Sequence, residues 1–385
     1  MRKYIIFSVL CILSIWVIYS LKSFFAPAPS FTVVQIYEEA AVGDKNQVIG
    51  VVHALKKHTQ NLTIMDYSCN EKTDISKLVN DISDPKKDKL VIGVGKTAFS
   101  VFDQLSAKNI PNIKTLALGH QWTTAYSNLL GKVTWIAVPD YARQESLINT
   151  STTKLIYTNG VPHAVTQDTL RIEYESYKKK LPLTINDHVI ILGGDAPTND
   201  GTQKRFTEAD ASELAIALFN EKSVGTFYVV NGPRTGKFDK DLNEIKNIHR
   251  DERIDAVTIA FIETLKKKGV PENRIKLYDF KFGKKSFYIP LLAAAFVYNA
   301  PVWVPGESSS MICEAISVIA PNNLIIYDNQ AMNETHKKHV DSVYKQGRAR
   351  HYSNGKIKTL ATKDVTALPD ARDQIAHVIT ETKLH

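Results

Sequence analysis

After residue 30 the chain alternates short apolar, β-branched runs with helix-periodic segments, and nothing else in it restricts the fold so much. A helix between two strands lets them run parallel, and a parallel sheet needs cover on both faces. The first series opens with the strand Phe31–Glu38. A helix is expected over Asn46–His58, where Val48, Val51, Val52 and Leu55 share one side. A strand at Leu62–Tyr67, a helix at Thr73–Ile82, a nearly all-apolar strand at Leu90–Gly95 and a helix at Thr97–Lys108 follow. Strands near Lys114–Leu118, Val133–Val138 and Lys154–Thr158 end the series.

A second series begins with the strand from Val189 and its glycine turn. Thr207 and Asp210 have capping-box spacing before a helix that runs through Leu218. Strands are expected at Thr226–Val230, Ile275–Phe280, Pro301–Val304 and Leu324–Tyr327. They alternate with helices at Asp255–Lys268, Phe287–Phe296, Ser309–Val318 and Glu334–Gln346. The fold class is α/β, with two doubly wound Rossmann-like domains. The divisions expected are an N-terminal domain over 31–180, a C-terminal domain over 181–352, and a tail over 353–385 whose amphipathic helix is free to cross back. The linker reads as Tyr177–Asp187. Tandem domains of this kind make the GT-B layout, and their ligands bind outside the carboxyl ends of the strands, in the cleft between domains.

Residues 1–30 read as an anchor and linker. Arg2 and Lys3 precede an apolar run over residues 4–21, closed by Lys22. At ~1.5 Å per residue this spans most of a bilayer core of about 30 Å. A cleaved signal peptide is the competing reading. Its apolar core is usually about 7–15 residues, and Pro27 and Pro29 crowd the candidate cleavage site at Ala26 and Ala28. A single-pass transmembrane helix is therefore the expectation, with the side of the membrane left open.

Net charge is +8, with lysines scattered in short clusters such as Lys178–Lys180 and Lys266–Lys268. Aromatics are not interleaved with them, so no nucleic-acid partner is expected. Cys11, Cys69 and Cys313 make neither a disulfide framework nor a zinc pattern, and no metal is expected. The G-x-G-x-x-G and Walker A fingerprints are absent, which speaks against ordinary Rossmann dehydrogenases and P-loop ATPases.

The chemistry-bearing motifs sit at strand ends. Gly306–Ala315 (GESSSMICEA) follows a strand and opens a helix, where free amides and the helix dipole suit a phosphate. Ser308, Ser309 and Ser310 add hydroxyl donors, and Glu314 lies about one turn in, fit to accept bonds from ribose hydroxyls. Arg234, in Asn231–Gly236 (NGPRTG), offers a planar fork for phosphate oxygens. Gly193 and Gly194 allow a sharp turn or a close approach to the backbone. In the first series Gly43, Asp44, Asn46 and Gln47 lie between strand and helix on the cleft side. His163, at the end of that domain's last strand, could act as a general base, with Asp44, Glu38, Glu39, His120 and Asp140 as competitors.

Taken in order, these segments resemble the elongated-mitochondria (mitochondrial fission) family of GT-B-type glycosyltransferases. Gly43, Asn46 and Gln47 match its opening pattern, Gly160, Pro162 and His163 its strand-end element, and Gly193 and Gly194 its second-domain start. Gly232–Thr235 represents its arginine loop, and Glu307–Ala315 its serine-rich element. Two departures are Glu307 where the family has Asp and Gly232–Pro233 where it has a further serine or arginine. The resemblance implies a donor nucleotide-sugar site in the second domain and an acceptor site in the first. It places Arg234 and Ser308–Ser310 on the diphosphate, Glu314 on the ribose, and Gly43, Asn46, Gln47 and His163 toward the acceptor. The activity implied is transfer from a nucleotide diphosphate sugar, a substrate rather than a cofactor, to a lipid-linked or envelope glycan, without a metal. A non-catalytic anchored module that recruits a partner, and a nucleotide-sugar epimerase, are the alternatives.

Overall fold

The computed structural model describes residues 31–382, apart from 40, 60, 85–87, 144–151, 199–201, 222–224, 363–364 and 366–367. The expected membrane run at 4–21 lies outside the described residues. Among those residues no helix is long and apolar enough to cross a membrane.

The first sheet contains β1 (Phe31–Glu38), β2 (Leu62–Cys69), β3 (Lys89–Gly93), β4 (Ile113–Leu118), β5 (Trp135–Pro139) and β6 (Lys154–Thr158). All six run parallel, in the order β2-β1-β3-β4-β5-β6. β7 (His188–Ile191) opens the second domain, and β8 (Ala196–Pro197) pairs with β9 (Gln203–Lys204) in a separate small hairpin. The second sheet continues with β10 (Phe227–Val230), β11 (Ile275–Tyr278), β12 (Val302–Pro305), β13 (Leu324–Tyr327), β14 (Arg350–Ser353) and β15 (Lys356–Lys358). Its order is β11-β10-β7-β12-β13-β14-β15, parallel except for β15.

Strand order reverses between β1 and β3 in the first sheet and between β7 and β12 in the second. These switch points leave a crevice at the strands' carboxyl ends, where the connections diverge to opposite faces. Apolar layers cover both faces of each sheet.

Packing divides the chain differently from the expected boundary at residue 180. Helix Gln167–Tyr177 packs on helix Tyr288–Tyr298, and Leu170, Leu181 and Leu183 enter the second domain's core. A segment N-terminal to the second sheet can join its core because its apolar face finds that sheet's covering helix. The tail helix Ala371–Glu381 returns to the first domain and inserts Ile375, Ala376 and Ile379 into its core. Burying each isoleucine contributes about 1.5–3 kcal/mol. Arg372 completes the crossing, donating to the carbonyls of His163 and Val165 at 3.0 and 3.1 Å.

Candidate functional site

The second domain's wall forms around the β7–β12 switch. Beyond β7 the chain turns at Gly193 and Gly194 under close contact. A β-carbon on Gly194 would stand 2.7 Å from Arg234 Cβ, and one on Gly193 would stand 3.0 Å from a Glu307 oxygen. Glu307 accepts the Gly194 amide at 2.8 Å and the side-chain amide of Asn329. Thr235 donates its hydroxyl to the Gly193 carbonyl at 2.8 Å. These bonds clamp the arginine loop onto the glycine turn and give the buried Glu307 a positioning role.

Arg234 is exposed, and its guanidinium has no hydrogen-bond or ion-pair partner among the described residues. Its charge nevertheless reaches neighbouring groups. His120 is pushed down to about 4, first by burial and then by Arg234. His336 is pushed to about 4 by burial, with His120, Arg234 and Lys204 adding to it. Burial raises Glu307, while its hydrogen bonds and Arg234 act the other way.

Helix Ser309–Ile316 starts behind Ser308 without a side-chain cap. Thr207, Asp255 and Asn333 do cap their helices. The start at Ser309 therefore keeps amides for an external acceptor. Ser310 Oγ lies 3.5 Å from where a β-carbon on Gly43 would stand, so this helix start meets the first domain. Ser309 instead faces inward: its Oγ is 3.3 Å from His339 Nδ1, and the His339 ring stacks on Tyr141 at 4.2 Å. Cys313 Sγ sits 3.7 Å from His339 Nε2. Burial drives the thiol up to about 12 and the imidazole down to about 3, which leaves both groups neutral and the thiol unactivated.

One turn into the helix, buried Glu314 joins the domains. Asn46 Nδ2 donates to its Oε1 at 3.1 Å, and Tyr288 donates to its Oε2 at 2.7 Å. Burial lifts its carboxyl to about 7, against the pull of those two donors.

The first domain's wall stands at the β1–β3 switch. Asp44, at the start of helix Val42–His58, is raised to about 6 by burial and then by the Glu38 carboxylate. A β-carbon on Gly95 would lie 3.4 Å from Glu38 Oε1 and 3.5 Å from Asp44 Oδ2, so both carboxylates converge over the β3 turn. Glu38 Oε1 stands 3.4 Å from the amide and hydroxyl of Thr97, and Gln47 Nε2 stands 3.5 Å from Asp44 Oδ1. Helices Val42–His58 and Lys96–Lys108 also begin without side-chain caps, so their positive ends meet this acidic pair.

The structure thus brings Gly43 to Ser310, Asn46 to Glu314, and Gly194 to Arg234, with Asp44 beside Glu38 and Gln47. It does not bring His163 to Asp44. His163 is buried, and burial holds its imidazole near 4, too weak a base for neutral pH. It lines a cavity of about 390 Å³ with Cys313, Arg348 and Asp370, under the returning tail. A strand-end position exposes a side chain only if no later segment covers it, and the tail covers His163. Ser309 likewise turns from the cleft to His339. Tyr288, Asn329, Tyr141 and His336 went unremarked in the sequence. Only His336 left a signal, its i, i+3 spacing from His339 placing both rings on one helix face.

No family model and no curated protein matches the sequence. Among solved structures, UDP-GlcNAc 2-epimerase from Neisseria meningitidis, bound to UDP-GlcNAc, aligns with a TM-score of 0.53 at 14% identity, covering 92% of this chain and 100% of that one. The likeness fixes the fold. This is a two-domain α/β chain of the GT-B type. MurG from Acinetobacter baumannii aligns at a TM-score of 0.41 and 10% identity, covering 92% of each chain. UGT71G1 from Medicago truncatula, complexed with UDP-glucose, aligns at 0.44 and 9%, covering 91% of this chain and 89% of that one. Both are too distant to add to the fold assignment.

Proposed function

We propose that the chain binds a nucleoside diphosphate sugar in the cleft between its domains and transfers the sugar to a hydroxyl acceptor. One observation carries the reading: a free Arg234 and an uncapped helix start at Ser308–Ser310 stand on one wall, and the converging carboxylates of Glu38 and Asp44 stand on the other. Arg234 and the helix amides hold the diphosphate and stabilise it as it departs. Glu314, held by Asn46 and Tyr288, accepts from the ribose hydroxyls with its remaining lone pairs. Asp44, titrating close to neutrality, removes the acceptor proton. The resemblance to the elongated-mitochondria family supports a donor site in the second domain and an acceptor site in the first. An anchor over residues 4–21 would favour a lipid-linked or envelope glycan as acceptor.

Isothermal titration of the detergent-solubilised full-length protein with UDP-, GDP- and dTDP-sugars tests the donor half. Saturable binding to one class is expected, lost in Arg234→Ala. No binding to any of them would overturn the proposal.

The Glu38–Asp44 pair supports a second reading, epimerisation, because two adjacent carboxyls can remove and return a proton on the sugar itself. Incubating the donor without acceptor separates the two. A changed sugar still attached to the nucleotide means epimerisation, and an unchanged donor that is consumed only when acceptor is present means transfer.

A further inference from the structure

Behind the arginine loop, three side chains from separate connections converge. His249 lies in the long connection after β10, Asp255 caps helix Ala256–Lys267, and Asp279 immediately follows β11. One imidazole nitrogen and one oxygen of each carboxylate lie within 4.8 Å of one another. His249 and Asp255 are fully buried, at 0% and 1% exposure, and Asp279 is half-buried.

The hydrogen bonding around them leaves one buried lone pair unmet. His249 Nε2 lies 2.8 Å from the Thr235 carbonyl. A carbonyl can only accept, so Nε2 carries the hydrogen, and in the neutral ring Nδ1 is a bare lone pair. That Nδ1 is buried without a hydrogen-bond partner. Asn231 Nδ2, with two hydrogens, serves three acceptors: Asp255 Oδ2 at 3.0 Å, Thr258 Oγ1 at 3.1 Å and Asp279 Oδ1 at 2.7 Å. Thr258 contributes its amide to Asp255 Oδ1 and its hydroxyl to Oδ2. Lys281 pairs at 2.7 Å with Asp279 Oδ2, leaving Oδ1 turned to the cluster. His249 is also held at a φ of 61°, a left-handed conformation that a non-glycine residue keeps only when its surroundings fix it.

We propose that His249, Asp255 and Asp279 form a binding site for a divalent transition-metal cation of the zinc class. One imidazole nitrogen with two carboxylate oxygens is a donor set suited to such an ion. The Nε2–H bond to a backbone carbonyl is the outer-shell arrangement that fixes the tautomer and aims the other nitrogen at a metal. The cation ties the connection after β10 to the helix start at Ala256 and to the end of β11. It acts on Arg234 through Thr235, whose carbonyl holds His249 and whose hydroxyl holds Gly193. This site is structural, and it stands whether or not the cleft takes a nucleotide sugar. The cysteine pattern carried no sign of it because its ligands are histidine and aspartate spread over 31 positions, counting from His249 to Asp279.

The test is a Co²⁺ and Zn²⁺ titration of full-length protein first stripped with a chelator. About one equivalent of cobalt is expected, with visible d–d bands, competed away by zinc but not by magnesium. Asp279→Asn, which spares the cap at Asp255, is expected to weaken zinc binding at least about tenfold while keeping the wild-type near-ultraviolet circular dichroism. Absence of cobalt bands in the folded wild-type protein would overturn the proposal, as would Asp279→Asn and His249→Gln variants that bind zinc as tightly as the wild type.

Discussion

Both walls of the cleft arise at the switch point of a parallel sheet, yet they carry opposite chemistry. On the first, Glu38 and Asp44 crowd together over the turn after β3, and burial with mutual repulsion lifts Asp44 to about 6. On the second, Arg234 stands free and its charge helps hold His120 and His336 near 4. The topology creates a crevice twice, and the residues beyond each strand decide what it can hold. An acidic wall can move a proton, and a basic wall can hold an anion. The bond from Asn46 to Glu314 sets the two in register.

The sharpest way to break this contrast is to neutralise one wall at a time. Asp44→Asn should lower the transfer rate about 10²–10⁴-fold, the usual yield of a general base, while donor affinity by titration stays within about twofold. Arg234→Ala should do the reverse, cutting donor affinity and kcat/KM together by about 10²–10³-fold. Equal loss of donor binding in both variants would mean that the walls do not divide the work. Acidification tests the same division without mutation. Asp44 must be ionised to accept a proton, so log(kcat/KM) should fall with unit slope below about pH 6, about tenfold per pH unit. That limb should vanish in Asp44→Asn.

Smaller effects sharpen the comparison. Glu314→Gln keeps the shape and the bond to Tyr288 but loses the charge, and donor affinity should fall about tenfold, in line with one charge-assisted bond of about 1.5 kcal/mol. The glycines should differ between the walls. Gly194→Ala forces a β-carbon to 2.7 Å from Arg234 Cβ and 2.9 Å from its carbonyl carbon, and urea unfolding should register a loss of about 1–3 kcal/mol. Gly43→Ala meets only Ser310 at 3.5 Å, within a helix, and should be neutral or stabilise by about 0.5–1 kcal/mol.

Much of the fold was legible because parallel strands buried on both faces read as apolar runs: Phe31–Glu38, Lys154–Thr158 and Leu324–Tyr327 fall where periodicity puts them. β14 (RHYS) did not read as a strand, since its residues are mostly polar and β15 pairs with it near the sheet's edge. The strand-to-helix turns that carry Asp44, Arg234 and Ser310 were legible from glycines and helix starts after strands. Tyr288 was not, because it opens a helix whose apolar character signals burial, and only tertiary packing brings its hydroxyl to Glu314. The burial of His163 was hidden for the complementary reason. Its cover, Arg372 and the tail, lies more than two hundred residues further along the chain.

The most direct measurement is an experimental structure of the full-length protein with a nucleoside diphosphate sugar. The diphosphate is expected within hydrogen-bonding distance of the Arg234 guanidinium and the amides at Ser309 and Ser310, with the sugar toward Asp44. A nucleotide bound elsewhere, with Arg234 and Ser310 free of it, would contradict the proposed division of the walls.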